Sequence, residues 1–238
     1  SPLITHIDAN VDMYPEQEFA DFALRYKLEN QTSSPIERVL VGRHGNYVFG
    51  EINIEGASQV EFDSELNQAI YRFDTPLLPG EQRELKAKFR YNQPQLWPHR
   101  SQQVVKSAFS YLNAKPLLPV VGYQPEWQLL EPKIRNSYGL QKAPKSPDVF
   151  SFLNTASQSI SLNTVLSTQQ GHFGLSQGEL LDSWTQEGRV FFRFETQQEI
   201  SAHPAWLSVP YSALTREVDG VTLSVFSPRL FSPSRNQA

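Results

Sequence analysis

Five histidines are the first candidates for chemistry, because histidine often serves as a general base or a metal ligand near neutral pH. They are His6, His44, His99, His172 and His203, and no two lie four positions apart. A zinc-binding helix of the metallopeptidase type needs two histidines one turn apart with a glutamate between them. Since that pattern is absent, we expect exposed loop histidines. The alternative is a site assembled from distant histidines and aspartates.

Other reactive residue types also lack the spacing that chemistry requires. The chain has no cysteine and no Gly-x-Ser-x-Gly elbow for a nucleophilic serine. The segment Gly171–Gly174 is too short for a phosphate loop and predicts a turn. Four acidic residues, Asp8, Asp12, Glu16 and Glu18, lack the glycine and the closing glutamate of a calcium loop, so we expect solvated strand faces.

Four tryptophans could form a sugar-binding platform, namely Trp97, Trp127, Trp184 and Trp206. Aromatic residues at alternating strand positions more often belong to the core. Trp97 and Trp127 lie outside the regular strand patterns, so they are candidates for a contact surface or for packing beneath loops.

Composition predicts a packed domain with few charged patches. Of the 238 residues, 39% are apolar, and the net charge is −4 without any basic cluster, so a nucleic-acid partner is not expected. No run of 18 apolar residues could span a membrane, and the N-terminus lacks the layout of a signal peptide. Ser1 leads directly into strand-like sequence, which indicates an excised domain.

The elements that would position these residues are predicted to be strands. Apolar and polar residues alternate from Phe22 to Glu29, which indicates a half-buried strand. Leu3–Pro15 predicts an opening edge strand, Gly50 a bulge or close backbone approach, and Asp219-Gly220 a hairpin turn. We therefore expect an all-β fold, an antiparallel β-sandwich with saddle-like sheets and one irregular, partly helical excursion.

The predicted organisation is a single domain over residues 1–226, with an irregular excursion at 104–148 and a loose tail at 227–238. Most of the excursion, Val104–Leu140, is rich in proline and aromatic residues. A short helix is predicted around Glu131–Tyr138, with Gly139 as its C-cap.

Several segments, taken together and in order, resemble the N-terminal β domain of aminopeptidase N-type zinc metallopeptidases, closest to the form fused to ABC-transporter permeases in bacteria. They are Phe22–Pro35, Phe73–Glu81 with its Pro-Leu-Leu-Pro-Gly-Glu turn, Leu118–Leu140 with its Leu-Pro-Val-Val-Gly-Tyr start, Ile160–Thr168, Trp184–Arg189, Trp206–Tyr211 and Asp219–Val221.

The resemblance implies a non-catalytic sandwich that packs against the peptidase domain of the same polypeptide and shapes its substrate cleft. Zinc would belong to that other domain, with no cofactor in this chain. A glutamine that reaches the active site in soluble members has no counterpart around Ser110–Asn113. Membrane attachment would come only from parts outside this chain, at the periplasmic face of the bacterial inner membrane. Candidates for interdomain contact are Trp97, Tyr123, Glu126, Trp127 and Arg135. The alternative is a free-standing carbohydrate- or protein-binding sandwich.

Overall fold

The computed structural model describes residues 1–42, 50–94, 103–122, 129, 131–141 and 159–228. Within these ranges the chain forms β1 Leu3–Tyr14, β2 Phe19–Glu29, β3 Ile36–Gly42, β4 Glu51–Ile54, β5 Ala57–Asp63, β6 Gln68–Leu77, β7 Gln82–Asn92, β8 Val104–Lys106, β9 Phe109–Asn113, α1 Ala114–Leu117, β10 Val120–Val121, α2 Pro132–Ser137, β11 Ser159–Gln169, β12 Phe173–Ser176, β13 Glu179–Gln186, β14 Arg189–Glu195, β15 Ile200–Ser201, β16 Ala205–Val209, β17 Tyr211–Val218 and β18 Val221–Pro228. The expected all-β class is confirmed. Across the described ranges, neither helix has the length and apolar character needed to cross a membrane.

The largest sheet has the strand order β13-β14-β11-β1-β2-β7-β4, with β15 also paired to β11. The prediction that Leu3–Pro15 forms an edge strand is wrong, because β1 lies inside this sheet. It pairs antiparallel with β2 and parallel with β11, with His6 opposite Ser161 and Asp12 opposite Ser167. A strand in this position can bury one face in the core and hold polar side chains on the other.

Two four-stranded sheets and one hairpin make up the rest of the described structure. Their strand orders are β10-β3-β6-β5, β12-β16-β9-β8 and β17-β18. The alternation predicted for β2 is confirmed, since Phe22, Leu24, Tyr26 and Leu28 are all buried. Phe22 stacks on Phe89 of β7, with ring centres 4.7 Å apart, and meets the edge of the buried Trp206 ring at 5.7 Å. The core therefore joins the large sheet to the sheet that contains β16.

The excursion begins as regular structure and not as an irregular segment. β8 and β9 pair with each other, and β9 also pairs with β16. Leu112, Leu117 and Val121 are buried in the core. The partly helical character is confirmed by α1 and by α2, which lies within the predicted Glu131–Tyr138 and is followed by Gly139 at φ 65°.

The tight turns follow their predicted chemistry. β17 and β18 form a hairpin through Asp219 and Gly220, at φ 51° and 77°, and β13 and β14 do so through Glu187 and Gly188, at 49° and 75°. Positive φ at both turn residues matches the right-handed twist of the strands. β18 continues to Pro228, two residues beyond the expected domain end at 226.

Candidate functional site

The outer face of the β1–β11 pair carries a serine–histidine–aspartate set. His6 lies with Nδ1 2.7 Å from the hydroxyl of Ser161 and with Nε2 3.0 Å from a carboxylate oxygen of Asp8. Asn163 donates to the same oxygen of Asp8 at 3.0 Å. We call these four residues the His6 cluster. His6 and Asp8 share a face because they are two positions apart on one strand, and the parallel register brings Ser161 opposite His6.

The His6 cluster holds a stabilised carboxylate. Burial raises the pKa of Asp8, but the hydrogen bonds from His6 and Asn163 and the positive charges of His6 and Lys27 outweigh burial, so this pKa lies below its ordinary value. Acyl transfer would also require donors converging on the oxyanion. Next to His6 the pairing of β1 with β2 shifts register, and the hydrogen bonds of the cluster join β1 to β11. We therefore interpret the cluster as a polar link between β1 and β11.

A second histidine lies inside the fold. His172 is buried, with Nδ1 2.9 Å from the hydroxyl of Ser208 and Nε2 2.9 Å from the side-chain nitrogen of Gln169. Thr168 lies 2.6 Å from the same Ser208 hydroxyl. The prediction of an exposed loop histidine is therefore wrong for His172, whose contacts link the turn after β11 to β16.

Among the described residues, the remaining candidates do not converge. His203 is exposed and contacts the backbone carbonyl of Ala202, whereas His44 and His99 lie outside the described residues. Asp12 accepts a hydrogen bond from Ser167, and Glu18 lies 3.4 Å from the amine of Lys106. Within the described ranges, no three histidine or acidic side chains could hold one metal ion.

The two tryptophans that the structure describes, Trp184 and Trp206, do not form a shared platform. Trp206 is fully buried in the core. Trp184 is half-buried and stacks on Phe191 at 5.2 Å between ring centres, on the large sheet. Trp97 and Trp127 lie outside the described residues, as do the contact candidates Tyr123 and Glu126.

Arg135 is the one predicted contact residue that the structure describes. Its side chain is buried, and it donates to the carbonyl oxygens of Leu129 at 2.7 Å and Gln141 at 2.8 Å. These bonds close the segment around α2, while Ile134, Tyr138 and Leu140 remain exposed beside it. Its part in interdomain contact stays a prediction.

Asn113 occupies the region where the resemblance places a substrate-reaching glutamine. Its side-chain oxygen accepts a hydrogen bond from the backbone nitrogen of Lys115 at 2.9 Å, which caps the N-terminus of α1. Its amide nitrogen donates to the hydroxyl of Tyr111 at 3.3 Å. Both ends of this side chain are therefore engaged within the domain.

The hairpin β17–β18 presents a mostly aliphatic face, with Arg216 opposite Leu223, and sequence patterns alone did not locate it. Val221, Leu223 and Val225 alternate along β18, and Leu223 and Val225 are 53% and 63% exposed. Val218 of β17 pairs with Val221 and is also exposed. Thr222 and Ser224 lie on the opposite face. We call the four aliphatic residues the hairpin face.

No protein-family model matches the chain, and no curated protein matches it. An M1 zinc metallopeptidase from Deinococcus radiodurans shares the fold with a TM-score of 0.59 and 13% identity, over 95% of this chain and 46% of that chain. A mutant of the M1 enzyme from that organism, bound to a Tyr-Ser-Ala substrate, gives a TM-score of 0.59 and 13% identity, over 94% of this chain and 46% of that one.

A two-domain M1 zinc metallopeptidase mutant bound to L-arginine gives a TM-score of 0.60 and 12% identity, over 94% of this chain and 46% of that one. The chain thus spans less than half the length of these structures. What it shares with a part of the M1 zinc metallopeptidases is their fold, at low sequence identity.

Proposed function

We propose that this chain is a non-catalytic β domain of a larger zinc-metallopeptidase-like protein, which packs against the peptidase domain and forms part of the wall of its substrate cleft. The support is a fold match over nearly the whole chain to less than half of two-domain M1 enzymes. Zinc and the residues that bind it would belong to the other domain.

The observation that favours packing is the hairpin face. A two-stranded hairpin is marginally stable in water unless something covers an apolar side. Full burial of one aliphatic side chain of this kind contributes about 1.5–3 kcal/mol. Covering Leu223, Val225 and their neighbours would therefore both hold the hairpin and drive association with another domain.

A second exposed apolar surface supports a role for the excursion. Tyr138 is 73% exposed, and Ile134 and Leu140 lie near it along the chain and are also exposed. The hydrogen bonds of Arg135 hold this segment in one conformation, so little ordering entropy would be lost on docking. We propose that this surface also contacts the peptidase domain, together with Tyr123, Glu126 and Trp127 of the excursion.

The cellular setting is also a proposal. The resemblance to the permease-fused bacterial form favours a parent protein anchored in the inner membrane by other segments, with this domain on the periplasmic side. A reporter fused at residue 228 of the expressed parent protein tests the periplasmic location. A reporter that is active only after export should be active in this fusion, and one that is active only in the cytoplasm should be inactive.

Association in trans tests the packing proposal. The purified chain is mixed with the separately expressed remainder of the parent protein, and binding is measured by calorimetry. We expect binding that weakens by at least about tenfold when Leu223 is replaced by lysine, because a charge would be desolvated at the interface.

The matched control is Thr222→Lys, which places the same charge on the opposite face of the same strand. It should leave binding within about twofold of wild type. Equal losses in both variants, or no association at all, would exclude the hairpin face as the docking surface. Peptidase activity of the remainder, with and without the chain, then measures any effect on the substrate cleft.

A further inference from the structure

The outer edge of β5 has no neighbouring strand among the described residues. β5 ends its sheet and, within the described part of the chain, is hydrogen-bonded to β6 alone. Residues 58–63 are all exposed. An edge strand of this kind presents unpaired backbone donors and acceptors, and an added strand can use them.

Apolar side chains are concentrated at this edge. Phe62 is 59% exposed and Leu66, in the turn that follows, is 62% exposed. With the half-buried Leu40 of β3 and Ile70 of β6 they line an open groove of about 720 Å³, which crosses the face of the sheet from β3 to β5. Scattered exposed apolar residues need no explanation, but here Phe62 and Leu66 lie at the end of an edge strand, beside this groove.

The charge of the groove is negative. Glu61 and Asp63 lie among the lining residues, and no lysine or arginine does. A guanidinium nitrogen of Arg38 lies 3.9 Å from a carboxylate oxygen of Glu61. Both side chains are more than half exposed, so this surface ion pair contributes little to stability. Asp63 also accepts hydrogen bonds from the backbone nitrogens of Glu65 and Leu66, which fixes its carboxylate at the rim.

These features together disfavour pairing of β5 with a second copy of itself. Edge-to-edge pairing would bring two sets of carboxylates together, which is destabilising. A strand with lysine or arginine side chains would instead meet opposite charge.

We propose that the outer edge of β5 is a docking site for an extended peptide segment with alternating basic and apolar side chains, which adds to the sheet as a further strand. Its backbone would pair with β5, its apolar side chains would contact Phe62 and Leu66, and its basic side chains would meet Glu61 and Asp63. This proposal is independent of packing against a peptidase domain, because it involves neither the hairpin face nor α2.

Fluorescence anisotropy with a labelled synthetic peptide of alternating valine and lysine tests the site, and the same peptide with glutamate in place of lysine is the charge control. We expect the lysine peptide to bind the full chain and the glutamate peptide not to bind. Hydrogen exchange should then show new protection in residues 58–63 and none in β13, the edge strand of the large sheet. Absence of binding, or protection elsewhere, overturns the proposal.

Two variants test the contacts. Glu61→Lys and Phe62→Ser should each weaken peptide binding by about tenfold, whereas Glu37→Lys, an exposed charge reversal on β3, should leave it within about twofold. Urea midpoints for all variants establish that they are folded. The proposal is overturned if Glu37→Lys weakens peptide binding as much as the other two variants do. It is also overturned if the chain alone forms a stable dimer in which β5 is protected from hydrogen exchange, because the edge would then pair with a second copy.

Discussion

The guanidinium carbon of Arg189 lies 4.0 Å from the centre of the Tyr14 ring. The same group donates to the backbone carbonyl of Met13 at 2.9 Å and to the hydroxyl of Ser167 at 2.7 Å. Arg189 begins β14 and Tyr14 ends β1, and β11 lies between these strands. One side chain therefore links strands that are not direct neighbours in the sheet.

A row of stacked groups continues from this contact. Tyr14 stacks on Phe19 with ring centres 4.4 Å apart, and the guanidinium of Arg90 lies 4.0 Å from the centre of the Phe19 ring. Arg90 in turn makes a paired contact with Asp21 at 2.6 and 2.7 Å. Two arginines thus enclose an aromatic pair at one end of the large sheet.

Replacement of Arg189 by methionine should destabilise the chain by about 1–3 kcal/mol, because the charge-assisted hydrogen bonds to Met13 and Ser167 and a cation–π contact are lost. Urea unfolding measures the change. Arg193→Met, an exposed position on the same strand, is the control and should shift stability by at most about 0.5 kcal/mol. Equal losses in both variants would show that the Tyr14 contact contributes nothing specific.

Local patterns predicted much of the fold but not the partners of its strands. Alternation identified β2, and turn residues identified the hairpin at Asp219-Gly220. The β1–β11 pairing joins His6 to Ser161, 155 positions away, and a period of two says which face is buried without saying which strand lies beside it. β8 and β9 have only three and five residues, too few for alternation to be recognised.

Gly50 illustrates a local prediction that tertiary structure explains. A Cβ atom there would collide with the backbone carbonyl oxygen of Lys88, which confirms the expected close approach. Gly50→Ala should therefore cost about 1–3 kcal/mol through displaced backbone, measured by thermal or urea unfolding. Gly80→Ala, at φ 80° in open space, should cost about 1–2 kcal/mol from backbone strain alone. A neutral Gly50→Ala would contradict the close approach.

The candidate sites were less predictable than the strands. His6 and Asp8 are two positions apart, so a shared face could be expected, but their hydrogen bonds to Ser161 and Asn163 depend on the unforeseen parallel pair. The exposed aliphatic face of β18 was not among the sequence predictions, because an alternating pattern shows which residues share a face and not what lies against that face.

Asp8 should make stability depend on pH in the acid range. Its pKa is lowered in the folded chain, so its contribution is present above the unfolded pKa of about 4 and is lost as the pH falls through the folded value. Asp8→Asn should therefore be less stable than wild type at about pH 6, and the difference should shrink as the pH falls below about 4. Urea midpoints across this range measure it, with the exposed Asp182→Asn as the control. A difference that stays constant with pH would contradict the role of the charge.

Arg135 should order the segment around α2 without any partner domain. Arg135→Ala would leave the carbonyls of Leu129 and Gln141 without these donors, so we expect faster hydrogen exchange in residues 131–141 and little change in the urea midpoint, because the core is untouched. Arg135→Lys restores the charge but not the planar fork that reaches both carbonyls, so it should rescue only part of the protection. Lys133→Ala, on the exposed side of the same helix, is the matched control. If the Arg135 variants altered exchange only when the remainder of the parent protein was bound, the residue would act at an interdomain contact and not as an internal brace.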